Sequence, residues 1–274
     1  MGKNQTNMIK AILSIIVIFH HLSEYFEEGA INAFSHAGYV AVGCFFFFTG
    51  YGSVKQYVSK KEMYVKGFLK KKITNIIVPY MIVSALYFFY DCFKSRELLS
   101  IFDLIWRPFT VHYIASNCWY MVVLIYFYLA FYIMLLIIQE CKINYKIVLL
   151  SGTLLFIIGY FVFYRYWGYI HDEVLGLYWI YSIFAIMFGV AWAIWENKVK
   201  DYLLLLSILS FACIVVISIY EAYTGDLWNI YLHNIKVVCF VILMLFFSSK
   251  IQIQNSIVLS FIGNIINANL NLNH

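Results

Sequence analysis

The stretch MIKAILSIIVIFHHLSEYF at positions 8–26 is apolar enough to form a membrane-spanning helix, yet it carries ionisable side chains near both ends. Its length is close to the ~30 Å thickness of the hydrocarbon core of a bilayer. Lys10 lies near its start, and His21 and Glu24 lie near its end. Ionisable groups inside a span are costly and usually face a polar cavity. The stretch therefore predicts a spanning helix with one polar face.

The rest of the chain is similarly apolar. Of its 274 residues, 64% are hydrophobic and 12% are charged, and the mean hydropathy is +0.81. Soluble domains hold roughly 45–50% apolar and about 25% charged residues. The composition therefore excludes a water-soluble fold, and an aromatic content of 20% with two prolines excludes disorder.

Eight apolar runs approach the ~20 residues that a spanning helix needs, and a ninth begins near position 256. The eight runs cover positions 8–26, 38–54, 73–93, 118–138, 147–165, 174–195, 202–220 and 230–247. We therefore predict an all-α transmembrane helix bundle of about eight complete spans plus the start of a ninth, forming a single integral membrane domain over positions 1–274.

The basic residues predict the orientation of this bundle. With the N-terminus in the cytosol, 14 of the 19 Lys and Arg residues fall in cytosolic segments. This is the positive-inside pattern of membrane proteins, and it places the N-terminus in the cytosol. The net charge of +5 then follows from topology, and no nucleic acid partner is expected.

A polar stripe runs along the first helix. Lys10, Ser14, Val17, His21 and Glu24 are spaced 4, 3, 4 and 3 apart, which is the spacing of one helical face. Lys10 and His21 are therefore on the same face, within ~20° of each other, but about 16 Å apart along the axis. Glu24, one turn beyond His21, is placed to hydrogen-bond the imidazole and fix its tautomer.

Simpler interpretations of these residues remain open. Lys10, considered alone, is better explained by its ammonium reaching anionic headgroups. Histidines near the end of a span are sometimes merely hydrated. His20 points about 100° away from the stripe, so we expect it to pack or to lie at the interface.

A basic residue at the start of the first helix, ten intervening residues and then histidine form the signature of the acyltransferase 3 family of integral membrane acyltransferases. The chain resembles this family in Lys10 and His21. Other stretches resemble family motifs in the same order: GCFFFFTGY at 43–51, FLKKKI at 68–73 with PY at 79–80, and CWY at 118–120.

The chain also departs from the family pattern. Thr49 stands where serine is usual, and Asn75 stands where many members have a second basic residue. The SFIGNI stretch at 260–265 is similar to the beginning of the family's terminal helix, but an Asn-rich end follows it. We therefore expect a C-terminally shortened member.

The resemblance implies a function. Family members move an acyl group, commonly acetyl, from a cytosolic thioester to a hydroxyl of a carbohydrate or another envelope molecule. For this chain it implies an O-acetyltransferase of the bacterial plasma membrane. The donor substrate would be acetyl-CoA or another acyl-CoA, no cofactor would be bound, and the acceptor would be a surface polysaccharide or its lipid-linked precursor.

The implied chemistry suggests roles for particular residues. His21 is the best-placed general base for a sugar hydroxyl, with Glu24 beside it, and Lys10 is a donor-side contact. The phosphates of the donor would meet the basic segment 55–72, above all Lys70, Lys71 and Lys72. That segment is explained equally well by topology and lipid binding.

Two small residues near the cytosolic end of the second helix, Thr49 and Gly50, are candidates to line the path of the donor. Close helix packing through small residues explains them slightly better. Four further histidines lack the spacing of metal ligands and are expected to be interfacial or hydrated, so no metal site is predicted; they are His36, His112, His171 and His233.

Other functions fit the same spans. A transporter or flippase for an envelope glycolipid would also have many spans and a polar stripe. No internal repeat or matched pair of broken helices supports that alternative. An inactive, truncated acyltransferase is a further possibility.

Overall fold

The computed structural model describes residues 2–23, 25–26, 34–35, 37–95, 100–109, 119–163, 180–225 and 229–250. The longer elements in these ranges are α-helices, as predicted. They are α1 (Lys3–Ser23), α2 (Ala37–Lys60), α3 (Glu62–Lys72), α4 (Val78–Ser95), α5 (Ile101–Trp106), α6 (Trp119–Cys141), α7 (Tyr145–Phe163), α8 (Phe184–Val199), α9 (Leu203–Thr224) and α10 (Ile230–Lys250).

Seven helical stretches in the described part of the chain are long and apolar enough to cross a membrane. One of them, Phe184–Thr224, has 41 residues. If it were straight, Phe184 and Glu221 would lie about 55 Å apart. Both residues nevertheless contact the start of α10, through Asn234 and Lys236 respectively. The segment therefore folds back at the 3₁₀ turn Lys200–Tyr202, and α8 and α9 are antiparallel.

The predicted fold class, an all-α bundle of membrane-spanning helices, is confirmed. Each of the eight predicted runs overlaps a described helix. The number of crossings and the cytosolic N-terminus stay predictions. The proposed ninth span and the Asn-rich end fall within positions 251–274, outside the described residues.

The described helices belong to two compact units. The first unit holds α1, α2 as far as Val58, and α8 to α10. Its core is centred on α2, where Phe46, Phe47 and Phe48 are at most 2% exposed. An amide caps α8 within this unit: Asn234 Oδ1 accepts a hydrogen bond from the Phe184 N–H at 3.2 Å, and Asn234 Nδ2 donates to the Ile180 carbonyl at 2.6 Å.

The second unit holds α3 to α7. A π-helical segment, Ile73–Ile77, joins the basic α3 to the apolar α4 without interruption. Pro79 explains the widening, because a proline lacks an N–H and clashes with the carbonyl four residues earlier in a regular α-helix. Tyr80, buried just after it, donates a hydrogen bond to the Pro108 carbonyl at 2.7 Å.

Candidate functional site

The first helix has an apolar outer face and a polar inner face. Its exposed apolar side chains are 37–58% exposed and lie on one side; they are Ile12, Ile15, Ile18, Phe19 and Leu22. Because α1 is continuous from Lys3 to Ser23, Lys10 and His21 lie on a common face that points away from this side. Ser14, Val17 and His21 are half-buried, and Lys10 is fully buried.

Lys10 lies inside the first unit, where it is 2% exposed. Its Nζ is 5.6 Å from the centroid of the Phe48 ring in α2. Such a cation–π contact stabilises a buried cation by about 2 kcal/mol when both groups are desolvated. The ammonium is therefore held between helices, and this geometry argues against the alternative in which it reaches the headgroups.

His21 lies beside a histidine that is fixed by packing. The centroids of the His20 and His21 rings are 5.1 Å apart. His20 Nδ1 is 3.2 Å from the Phe34 carbonyl oxygen, and its ring covers Gly38, where a Cβ would overlap it. His20 thus packs against the start of α2, in line with its expected packing role. Glu24, the third predicted catalytic residue, lies outside the described residues.

Thr49 and Gly50 take part in helix packing. Both are buried, and Thr49 Oγ1 donates to the Phe45 carbonyl at 2.9 Å within α2. A Cβ at Gly50 would overlap the Ile186 carbonyl oxygen of α8, so the glycine allows the two backbones to approach. These contacts favour the packing alternative, and a role in lining the donor path stays a prediction.

The predicted donor lysines have different environments in the second unit. Lys70 is exposed, Lys71 is half-buried and Lys72 is 8% exposed. The Lys72 Nζ lies 3.6 Å from the centroid of the Tyr128 ring and 5.5 Å from that of Phe68. The Lys72 ammonium is therefore held on aromatic faces, whereas Lys70 is open to an incoming phosphate.

Lys55, at the start of the basic segment, lies in the first unit and is already paired. Its Nζ is 2.5 Å from Glu196 Oε2, and the Tyr51 hydroxyl donates to the same carboxylate at 3.1 Å. This ion pair joins the ends of α2 and α8. It leaves Lys55 less suited than Lys70 to bind phosphate.

The first unit contains a buried polar group that the sequence did not predict. His233 was expected to be interfacial or hydrated, and this was wrong: it lies in α10, is 4% exposed and sits between two rings. Its ring centroid is 4.5 Å from that of Tyr39 and 5.1 Å from that of Tyr181. Aromatic side chains from two other segments cover it, which no local pattern around His233 reveals.

A buried ion pair lies in the same unit. Lys236 Nζ is 2.5 Å from Glu221 Oε2, and Glu221 is 6% exposed. A signal for this pair existed in the sequence, because a lysine within a span requires a partner and Glu221 lies at the end of the preceding span.

Comparison with known proteins supports the resemblance seen in the motifs. A family model described as "Acyltransferase domain" matches residues 4–266. The matched range contains Lys10 and His21 and nearly all of the described residues. Curated proteins and solved structures yield no match to the chain.

Proposed function

Since this chain belongs to the acyltransferase 3 family, whose model matches residues 4–266, we propose that it is a membrane-bound O-acyltransferase. It would move an acetyl group from a cytosolic acyl-CoA to a hydroxyl of a surface polysaccharide or its lipid-linked precursor. Family membership supports acyl transfer in an integral membrane protein. The donor, the acceptor and the location in the bacterial plasma membrane belong to the proposal.

The observation that carries the proposal is the inner face of α1. Lys10 is 2% exposed and lies over Phe48, and His21 lies on the same face in a half-buried position. Burying a cation in a span costs free energy, and the ionisable residues found in spans usually have a functional role. A cation about 16 Å from an imidazole along one helix face fits a long substrate, with its pantetheine arm along this face past Lys10 and its thioester near His21.

The proposed chemistry is a single acyl transfer. The oxygen of the acceptor hydroxyl attacks the thioester carbonyl while His21 takes the hydroxyl proton as general base. The tetrahedral intermediate collapses, the carbon–sulfur bond breaks, and the CoA thiolate leaves. The proton on His21 passes to the thiolate, so the products are the O-acyl ester and free CoA.

On the donor side, we assign the CoA phosphates to exposed lysines of α3. Lys70 is exposed and Lys71 is half-buried, so their ammonium groups suit an anionic ligand. Lys72 would support the same segment through its contact with Tyr128.

The test uses purified protein in lipid with radiolabelled acetyl-CoA and a glycolipid extract as the acceptor pool. Wild type is compared with His21→Ala and with His20→Ala, its neighbour off the stripe. We expect label transfer to fall about 10²–10⁴-fold in His21→Ala and much less in His20→Ala.

Equal transfer by wild type and His21→Ala would remove the catalytic role of His21. Folded wild-type protein that releases no CoA and transfers no label would overturn the proposed function. Movement of the glycolipid across the bilayer without acylation would then favour the transporter alternative.

A further inference from the structure

A buried polar cluster lies at the His20–His21 end of the first unit, and the acyl-transfer chemistry proposed above does not use it. The His20 ring covers Gly38, the neighbour of Tyr39, and the Tyr39 ring is 4.5 Å from that of His233. Glu221 lies close enough to Tyr39 to act electrostatically on its hydroxyl, and Lys236 pairs with Glu221. We name this group the Glu221 cluster; it consists of Tyr39, Tyr181, Glu221, His233 and Lys236.

The carboxylate of Glu221 is only partly satisfied by the residues that the structure describes. Glu221 is 6% exposed, its Oε2 lies 2.5 Å from Lys236 Nζ, and its Oε1 is buried without a hydrogen-bond partner among the described residues. A buried carboxylate oxygen is costly to leave without a donor. The site therefore calls for a donor that the described chain does not supply.

The charges of the cluster indicate what kind of hydrogen-bond donor fits beside Glu221 Oε1. Lys236 already balances the charge of Glu221, so a second cation would leave an excess positive charge in a buried place. A neutral donor satisfies Oε1 without that penalty. A hydroxyl group is a neutral hydrogen-bond donor, and the carbohydrate that would accept the acyl group carries many hydroxyl groups.

The rings of the cluster favour a carbohydrate over an isolated hydroxyl. Tyr39 and Tyr181 flank His233 at ring distances of 4.5 Å and 5.1 Å. Aromatic rings with polar tips suit a ligand that has apolar faces and hydroxyl edges. Tyr39 is only half-buried, so its ring also provides an approach from the surface of the unit.

We propose that the Glu221 cluster is the acceptor site, where Glu221 Oε1 accepts a hydrogen bond from a hydroxyl of a neutral sugar ring that packs against Tyr39. This inference rests on the proposed function and adds the place where the acceptor binds. The other occupant that this chemistry allows is a single buried water.

The primary test measures binding without chemistry. Full-length protein is placed in nanodiscs with the total glycolipid extract of the source organism, washed, and assayed for carbohydrate per protein. We expect wild type to retain carbohydrate and Glu221→Gln to retain about tenfold less, which corresponds to the loss of one charge-assisted hydrogen bond. Equal retention by both proteins would mean that Oε1 binds a water molecule, and it would overturn the proposal. Wild-type protein that retains no carbohydrate would also overturn it.

Two further variants keep the test decisive if Glu221→Gln does not fold. The double variant Glu221→Gln/Lys236→Met removes both charges, so no uncompensated charge is left in the span. Tyr39→Leu removes a half-buried ring and leaves the ion pair intact. Both should retain about tenfold less carbohydrate. The matched control is Lys55→Met/Glu196→Gln, which removes a second described ion pair of the unit and should leave carbohydrate retention unchanged.

A second arm separates this inference from the proposed function. Label transfer from acetyl-CoA is measured with the same proteins, and the KM for acceptor is compared with the KM for donor. If the protein retains carbohydrate but transfers no label, the proposed acyl transfer is wrong and the proposed carbohydrate site stands. If the Glu221 variants transfer label with an unchanged KM for the acceptor, the proposed acceptor site is wrong and the proposed acyl transfer stands.

Discussion

Gly50 of α2 and Gly189 of α8 face each other where the two helices cross, and each lies against the backbone of the other helix. A Cβ at Gly50 would overlap the Ile186 carbonyl oxygen, and a Cβ at Gly189 would overlap that of Phe47. Since backbone atoms in a helix cannot turn aside as a side chain can, this crossing depends on the absence of both methyl groups.

Replacing either glycine of this crossing should destabilise the protein. Gly50→Ala or Gly189→Ala forces α2 and α8 apart, and we expect a loss of about 1–3 kcal/mol, seen as a lower Tm in detergent. The control is Gly52→Ala, because a Cβ at Gly52 meets nothing within 4 Å. That variant should be neutral or gain up to about 1 kcal/mol from helix propensity. An equal Tm for all three variants would show that the crossing is not close.

Lys10→Met should separate stability from donor binding. The change removes a buried cation that, among described residues, contacts Phe48 and forms no ion pair, so we expect an unchanged or higher Tm. If Lys10 meets the donor, the KM for acyl-CoA should rise about tenfold, the effect of one lost charge-assisted contact. Exposed Lys198→Met serves as the control for charge. A lower Tm with an unchanged KM would make Lys10 a structural residue only.

The lysines at the end of α3 should differ in effect. Lys72→Met loses the contact with Tyr128 and should cost about 1–2 kcal/mol, while Lys72→Arg keeps a cation over the ring and should restore most of it. Lys70→Gln should leave Tm unchanged and weaken donor binding at low salt, with the difference shrinking as salt screens the charge. Thermal unfolding and donor affinity at two salt concentrations measure both effects. Identical behaviour of Lys70→Gln and Lys72→Met would contradict their different environments.

Gly38→Ala should act through the His20 ring. Because the new methyl group would overlap that ring, the imidazole must move, and it lies 5.1 Å from that of His21. We expect kcat to fall about tenfold, which is less than the loss in His21→Ala, with little change in the donor KM. Steady-state kinetics with both substrates give the comparison. An unchanged kcat would show that the position of His20 does not matter to His21.

The helices were predictable from hydropathy because each apolar run must be covered by lipid or protein and must satisfy its backbone hydrogen bonds internally. Their ends were less predictable. The second run was assigned to 38–54, whereas α2 continues to Lys60. Backbone hydrogen bonding does not stop where apolar side chains stop, so a helix extends beyond its membrane segment whenever the following residues tolerate it.

The environments of the charged residues were not predictable in the same way. Lys70, Lys71 and Lys72 are alike in sequence, yet Lys72 packs over Tyr128 of another helix whereas Lys70 is exposed. The burial of His233 was not predictable because Tyr39 and Tyr181, which cover it, are distant in the chain. The spacing within α1 did predict that Lys10 and His21 share a face, because both lie on one helix.

The ion pair between Glu221 and Lys236 also bears on how the protein is made. Glu221 lies in the last turn of α9 and Lys236 in the second turn of α10, both apolar helices that would have to enter the bilayer during synthesis, and an unpaired charge within such a segment is costly on insertion. α9 leaves the ribosome before α10, so its carboxylate has no counter-charge until Lys236 follows it. The two helices are therefore best inserted together, as a hairpin whose charges neutralise one another at the translocon.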